Sequence, residues 1–168
     1  MSRMGIRMLI GQHSSLLRSQ RLGSHEKDYV GIICTRTRVC DVANDAIANA
    51  RYICQGYYGL FDGPEVKVMG SKDVEFMYVP SHLHHMLFEL LKNSLRAVVE
   101  RYGVDCEEYP EIRVVVAEGK EDITVKISDE GGGIARSGIP LIWTYMYTTA
   151  ERPSVDEGQN DFRAPMAG

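Results

Sequence analysis

Several absences narrow the possibilities for this 168-residue sequence. Its four cysteines, Cys34, Cys40, Cys54 and Cys106, form no Cys-x-x-Cys pair, which argues against a zinc site and for reduced thiols. No apolar run reaches the roughly 18 residues that a membrane-crossing helix needs. No Gly-x-x-x-x-Gly-Lys-Ser/Thr is present, so there is no P-loop. No Gly-x-Gly-x-x-Gly is followed by a ribose-binding acid, which removes the dinucleotide fold. The His-Arg-Asp and Asp-Phe-Gly signatures of the common protein kinases are missing too. There is no internal repeat, and a net charge of −4 provides no general attraction to nucleic acid. No acidic residue precedes Glu26, while Arg3, Arg7, Arg18 and Arg21 alternate with serines. That composition fits either a cleaved targeting peptide or the basic end of a helix followed by a loop.

What remains is a globular composition, 44% hydrophobic and 25% charged, of about one domain's length. Residues 1–12 read as a helix with Met4, Met8, Leu9 and Ile10 on its apolar side, and residues 13–28 as a loop. A short apolar run at 29–35 reads as one strand. Residues 39–58 carry helical spacing, with Val42, Ala46, Ile47, Ala50, Ile53 and Cys54 on one side. Gly59, Gly63 and Pro64 end it. Residues 65–69 alternate as a strand, and 76–79 lead into the next helix. Two alternating runs at 112–116 and 123–127, joined through Gly119, predict a β-hairpin. The polar stretch from 152 to 168 predicts no packed structure.

Residues 80–103 form the longest element, a helix opened by Pro80 and Ser81 and closed by Gly103. At about 100° per residue, His85, Glu89 and Asn93 lie one turn apart along one line. His82, Lys92, Arg96 and Glu100 fall in the same polar band. Leu83, Leu87, Leu90, Leu91, Ser94 and Val98 fill the opposite, core-facing side. The polar band is either a solvated face or a line of ligands for something polar and charged. The second hairpin strand ends in Ser128-Asp129-Glu130-Gly131-Gly132-Gly133, a carboxylate beside bare backbone. That stretch is either a flexible turn or a place where a ligand meets the main chain closely.

Taken together, Glu89-Leu-Leu-Lys92-Asn93-Ser-Leu-Arg96-Ala97 and Asp129-Glu-Gly131-Gly-Gly133-Ile resemble the N-box and first glycine box of the Bergerat-type ATPase and kinase superfamily. Residues 5–13 (GIRMLIGQH), 79–89 (VPSHLHHMLFE) and 145–150 (YMYTTA) narrow the likeness to the mitochondrial pyruvate dehydrogenase kinases. It runs over nearly the whole chain. Branched-chain ketoacid dehydrogenase kinases share the N-box but are less similar at the His-rich helix start and at 145–147. The implied fold is α/β (α+β), a two-layer Bergerat-type sandwich incomplete at its C-terminus. Residues 1–28 would be the end of an N-terminal helical-bundle domain and its connecting loop, and 29–168 part of the ATP-binding domain. The basic start is then bundle rather than targeting peptide. Because the family's second glycine box would begin at about Gly168, the chain reads as an internal piece of a roughly twofold longer enzyme. Such a piece is expected to bind ATP poorly by itself.

The resemblance also implies roles. Asn93 would supply an oxygen to Mg²⁺, and Glu89 would accept the proton of a substrate serine. His85 would tune Glu89, and Lys92 and Arg96 would bring positive charge to the phosphates. Asp129 would accept from the adenine amine, with Gly131 and Gly133 giving the ring room. Thr148 and Thr149 match a Ser-Thr pair near the nucleotide, and Gly168 would open the second box. Leu141 departs from the basic residue common in relatives. The implied reaction is phosphorylation of the E1α subunit of the pyruvate dehydrogenase complex in the mitochondrial matrix, by an enzyme that is a homodimer and docks on the lipoyl domain of E2.

Overall fold

A computed structural model describes residues 3–22, 28–71 and 73–144, apart from the side chains of residues 4, 21 and 22. The order is α1 (Arg3–Leu22), β1 (Tyr29–Val30), β2 (Ile33–Arg38), α2 (Val39–Tyr58), β3 (Val66–Gly70), β4 (Glu75–Tyr78), α3 (Pro80–Tyr102), β5 (Ile112–Glu118) and β6 (Ile123–Ser128). A short 3₁₀ turn, Leu141–Trp143, follows. The α+β class is as expected, with two three-stranded sheets ordered β1-β2-β4 and β3-β5-β6.

The core lies where α2 and α3 meet each other and the second sheet. Ala43, Ala46, Ala50 and Cys54 of α2 are fully buried, as are Leu91, Leu95, Val98 and Val99 of α3 and Ile112 and Val114 of β5. The small α2 residues let α3 come close, and its leucines fill the gap. Each such Leu contributes about 1.5–3 kcal/mol by leaving water. The period-2 pattern of β5 has its expected result: Ile112, Val114 and Val116 are buried and Arg113 is exposed. Parallel pairing of β3 with β5 requires a long crossover. β4 and α3 supply it, and this lays α3 along the sheet.

Three local expectations change. Residues 13–22 belong to α1 rather than to a loop. No proline interrupts them, and their Leu, Arg, Gln and Ser are tolerated in a helix. The run at 29–35 is a hairpin rather than one strand: Gly31 turns the chain at φ 66°, and Tyr29 pairs with Cys34. Gln12 holds that turn, donating to the Val30 carbonyl at 3.1 Å and accepting from the Ile32 amide at 2.8 Å. Ser81 makes no side-chain cap; Val79 is the residue that precedes the helix, with Pro80 in its first turn. At its C-terminal end α2 follows the glycine rule. Gly59 closes α2 in the left-handed region at φ 68°.

Cys54 gives a direct check on core burial. Its thiol is pushed up to about 11 by burial, opposed by the nearby Arg51 guanidinium. Because the folded value lies above the ordinary value of 9.0, stability attributable to this thiol is complete below about pH 9 and is lost as pH rises towards 11. The expected outcome is that Cys54→Ala flattens the fall in urea midpoint between pH 9 and 11 relative to the parent protein.

Candidate functional site

α3 presents two opposite faces to two tasks. Its buried face carries Leu83, Leu87, Leu91, Leu95, Val98 and Val99. Its open face carries His85, Met86, Leu90, Asn93 and Glu100, with Glu89 half-buried among them. Leu90, expected on the core side, is 54% exposed. It sits near the edge of the apolar arc, and among the described residues no element covers it there.

The strand-end turn after β6 is fastened to the flank of this helix at three points. Ser94 Oγ donates to Asp129 Oδ2 at 2.8 Å. Arg101 Nη1 donates to the Glu130 carbonyl at 2.8 Å. Gly131 lies so close to α3 that an added Cβ would stand 2.4 Å from Ala97 Cβ and 2.9 Å from the Ala97 carbonyl carbon. Positions 94, 97 and 101 are successive turns of one helix face. Gly131 therefore has a packing reason to be glycine, besides any room it makes for a ligand. The Gly131 amide also donates to Asp129 Oδ1 at 2.9 Å. Gly133 takes φ 72°, and no atom of the described residues lies near the missing Cβ.

Lys92 departs from expectation. Placed on the polar band by the helical wheel, it is only 5% exposed. Its ammonium lies 3.1 Å from Glu89 Oε1 and 5.0 Å from the centroid of the Phe88 ring. A buried ammonium needs a counter-charge, and here the counter-charge is the carboxylate that the resemblance nominates as a base. Phe88 in turn stacks on His84 at 5.9 Å, and His84 Nε2 lies 3.1 Å from Asn49 Nδ2 of α2. His85 is exposed and makes no hydrogen bond to Glu89 among the described residues. Arg96 pairs with Glu100 at 3.3 Å.

Of the residues nominated from sequence, His85, Glu89, Asn93, Arg96, Asp129 and Gly131 thus lie on or beside α3, with Lys92 buried beneath its open stripe; Gly133 shows no contact with α3 among the described residues. Thr148, Thr149 and Gly168 lie outside the described residues. Sequence reasoning missed Ser94, Ala97 and Arg101 as the fastening of the turn. Ser94 had a readable signal, since a hydroxyl on an otherwise leucine-rich face needs a partner.

Comparisons with known proteins give the chain's family. Residues 78–162, which include α3, β5 and β6, match the family described as histidine kinase-, DNA gyrase B-, and HSP90-like ATPase. The chain belongs to that ATPase family. Residues 1–34 match the mitochondrial branched-chain alpha-ketoacid dehydrogenase kinase family. Among curated relatives, the chain is 50% identical over 172 residues to the mitochondrial [pyruvate dehydrogenase (acetyl-transferring)] kinase of Schizosaccharomyces pombe, covering 100% of this chain and 40% of that protein. It is 49% identical over 171 residues to the Arabidopsis thaliana kinase of the same name, covering 100% of this chain and 45% of the relative. With human isozyme 3 it shares 42% identity over 171 residues, 99% of this chain and 41% of the relative. The chain therefore spans less than half the length of these curated relatives. In this ATPase family member, α3 and the glycine turn after β6 are the two sides of the fastening described above.

Gly131→Ala forces a methyl into Ala97 and is expected to cost about 1–3 kcal/mol, as overpacking does. Adding Ala97→Gly removes the nearer of the two collisions and should restore part of the loss. Chemical denaturation of the single and double variants measures both.

Proposed function

We propose that the protein is a serine kinase that transfers the γ-phosphate of ATP to the E1α subunit of the pyruvate dehydrogenase complex and thereby inhibits it. The observation that carries this reading is the row formed by His85, Glu89 and Asn93, one turn apart on the open stripe of α3, flanked by a fixed Asp129. Membership of an ATPase family supports ATP as the substrate. The relatives' names support the acceptor, and also a mitochondrial site of action, which we take to be the matrix. On the same grounds we infer docking on the E2 lipoyl domain and a homodimer.

Phosphoryl transfer asks the protein for placement and charge rather than for covalent chemistry. Glu89 takes the proton of the acceptor serine as its oxygen attacks the γ-phosphorus, and ADP departs with the electrons of the broken P–O bond. The Lys92 ammonium beside it keeps Glu89 in place. The exposed amide of Asn93, which makes no side-chain hydrogen bond among the described residues, fits Mg²⁺, which accepts few protein ligands and retains waters. When bound, that ion would neutralise phosphate charge. Arg96, at the edge of the stripe, faces the same phosphates. Asp129 accepts from the adenine amine, and Gly131 and Gly133 line the base; Thr148, Thr149 and Gly168 would complete the nucleotide's surroundings. Residues 1–28 then form the end of a helical-bundle domain and 29–168 part of the ATP-binding domain. The exposed Ile6, Leu9, Ile10 and Leu17 of α1 support a covering by further helices.

The match of residues 1–34 to the branched-chain kinases favours a second acceptor, the branched-chain ketoacid dehydrogenase. Identity over the whole chain favours the pyruvate enzyme.

In the protein carrying this sequence, Glu89→Gln is expected to lower E1α phosphorylation by about 10²–10⁴-fold while leaving Mg-ATP binding intact. Asn93→Ala should instead abolish magnesium-dependent binding. Phosphate incorporation and calorimetry read the two effects, and a near-normal rate for Glu89→Gln removes Glu89 from the base role.

A further inference from the structure

We propose that Ser94 is a positioning residue that sets the base selectivity of the site. Its hydroxyl holds Asp129 as a fixed, acceptor-only carboxylate that admits a purine with an amine at position 6 and turns away one with a carbonyl there. The inference rests on the reading of Asp129 as the residue that meets the base.

Ser94 is 8% exposed, on the face of α3 that also buries Leu91, Leu95 and Val98. A serine inside a helix can bond back to the carbonyl one turn earlier. This one reaches across to Asp129 Oδ2 at 2.8 Å instead. A hydroxyl has a single proton, so the Asp129 side of the contact is the acceptor. The other carboxylate oxygen is taken by the Gly131 amide at 2.9 Å. One donor comes from α3, and the other from the turn itself. Together they fix the plane of the carboxylate relative to the helix, and Asp129 remains exposed to whatever enters beside it. The outward lone pairs can only accept. An exocyclic amine donates to them, whereas a carbonyl oxygen would set lone pairs against lone pairs. Without the Ser94 hydroxyl, the carboxylate keeps, among the described residues, only the Gly131 bond, whose donor moves with the turn. Its orientation towards α3, and so towards Asn93 one residue away, is then lost.

The test measures dissociation constants for Mg-ATP, Mg-GTP and the Mg complex of purine riboside triphosphate, which lacks a 6-substituent. The proteins are the parent, Ser94→Ala, Ser94→Cys, Ser94→Thr and Asp129→Asn. Ser94→Ala is expected to weaken ATP about tenfold, the equivalent of about 1.4 kcal/mol, and to leave the unsubstituted purine nearly unchanged. Ser94→Cys keeps the volume with a poorer donor and should show the same loss of preference. Ser94→Thr should restore it. Amide hydrogen exchange at Gly131, which needs no nucleotide, should quicken in Ser94→Ala and not in Ser94→Thr. Equal weakening of all three nucleotides, or an unaltered preference in both Ser94→Ala and Ser94→Cys, overturns the inference. If Asp129→Asn removes the preference while the Ser94 variants retain it, only the Ser94 role falls. If, in the longer protein that carries this sequence, Asp129→Asn retains it, the base-reading assignment of Asp129 fails, and this inference falls with it.

Discussion

The contact between α3 and the turn after β6 is the constraint on which the arrangement depends. A hydrogen bond from a buried serine, an arginine on a backbone carbonyl and a glycine pressed on an alanine bring two distant stretches of chain together at one place. None of the three is strong alone. A hydrogen bond to a charged acceptor is worth about 1.5–3 kcal/mol, and the glycine contributes by permitting approach. Their spacing along one helix face makes them act together. Moving the turn away from α3 would break all three at once.

The helix can hold the turn because it is itself held from behind. Its leucines and valines are buried against the alanine-rich side of α2 and against β5. Arg51 of α2 also ties down the following loop, donating to Asp62 at 3.0 Å and to the Gly63 carbonyl at 3.3 Å. Between the two helices, Tyr58 donates to Glu100 at 3.3 Å. The open stripe of α3 is thus a rigid platform, and chemistry placed on it inherits the precision of the core.

Lys92 shows how that platform is also charged from beneath. Lysine is seldom buried without a partner. Here it lies under the stripe, between the Glu89 carboxylate and the Phe88 ring. The ion pair is about two-thirds shielded from water on the carboxylate's side and almost wholly on the ammonium's. A carboxylate supported in this way keeps its position without a hydrogen bond from His85. His84, the neighbouring imidazole, instead ties the base of the stack to α2.

What the sequence determined alone was local and periodic. The bounds of α2 and α3, the β5–β6 hairpin and the line of His85, Glu89 and Asn93 follow from spacing, glycine stops and alternation, which act within a few residues. The motif likeness placed Asp129 and the glycines in the same site, but not the means of joining them. The hairpin split at Gly31 was decided by a tertiary contact, the Gln12 clamp from α1, and the burial of Lys92 is visible only in the fold, where Glu89 one turn away supplies its counter-charge. Ser94 is the sharpest case. On a helical wheel it belongs to the apolar side, and only the approach of β6 gives its hydroxyl an acceptor, because a hydrogen bond across 35 residues is a property of the fold and not of the spacing.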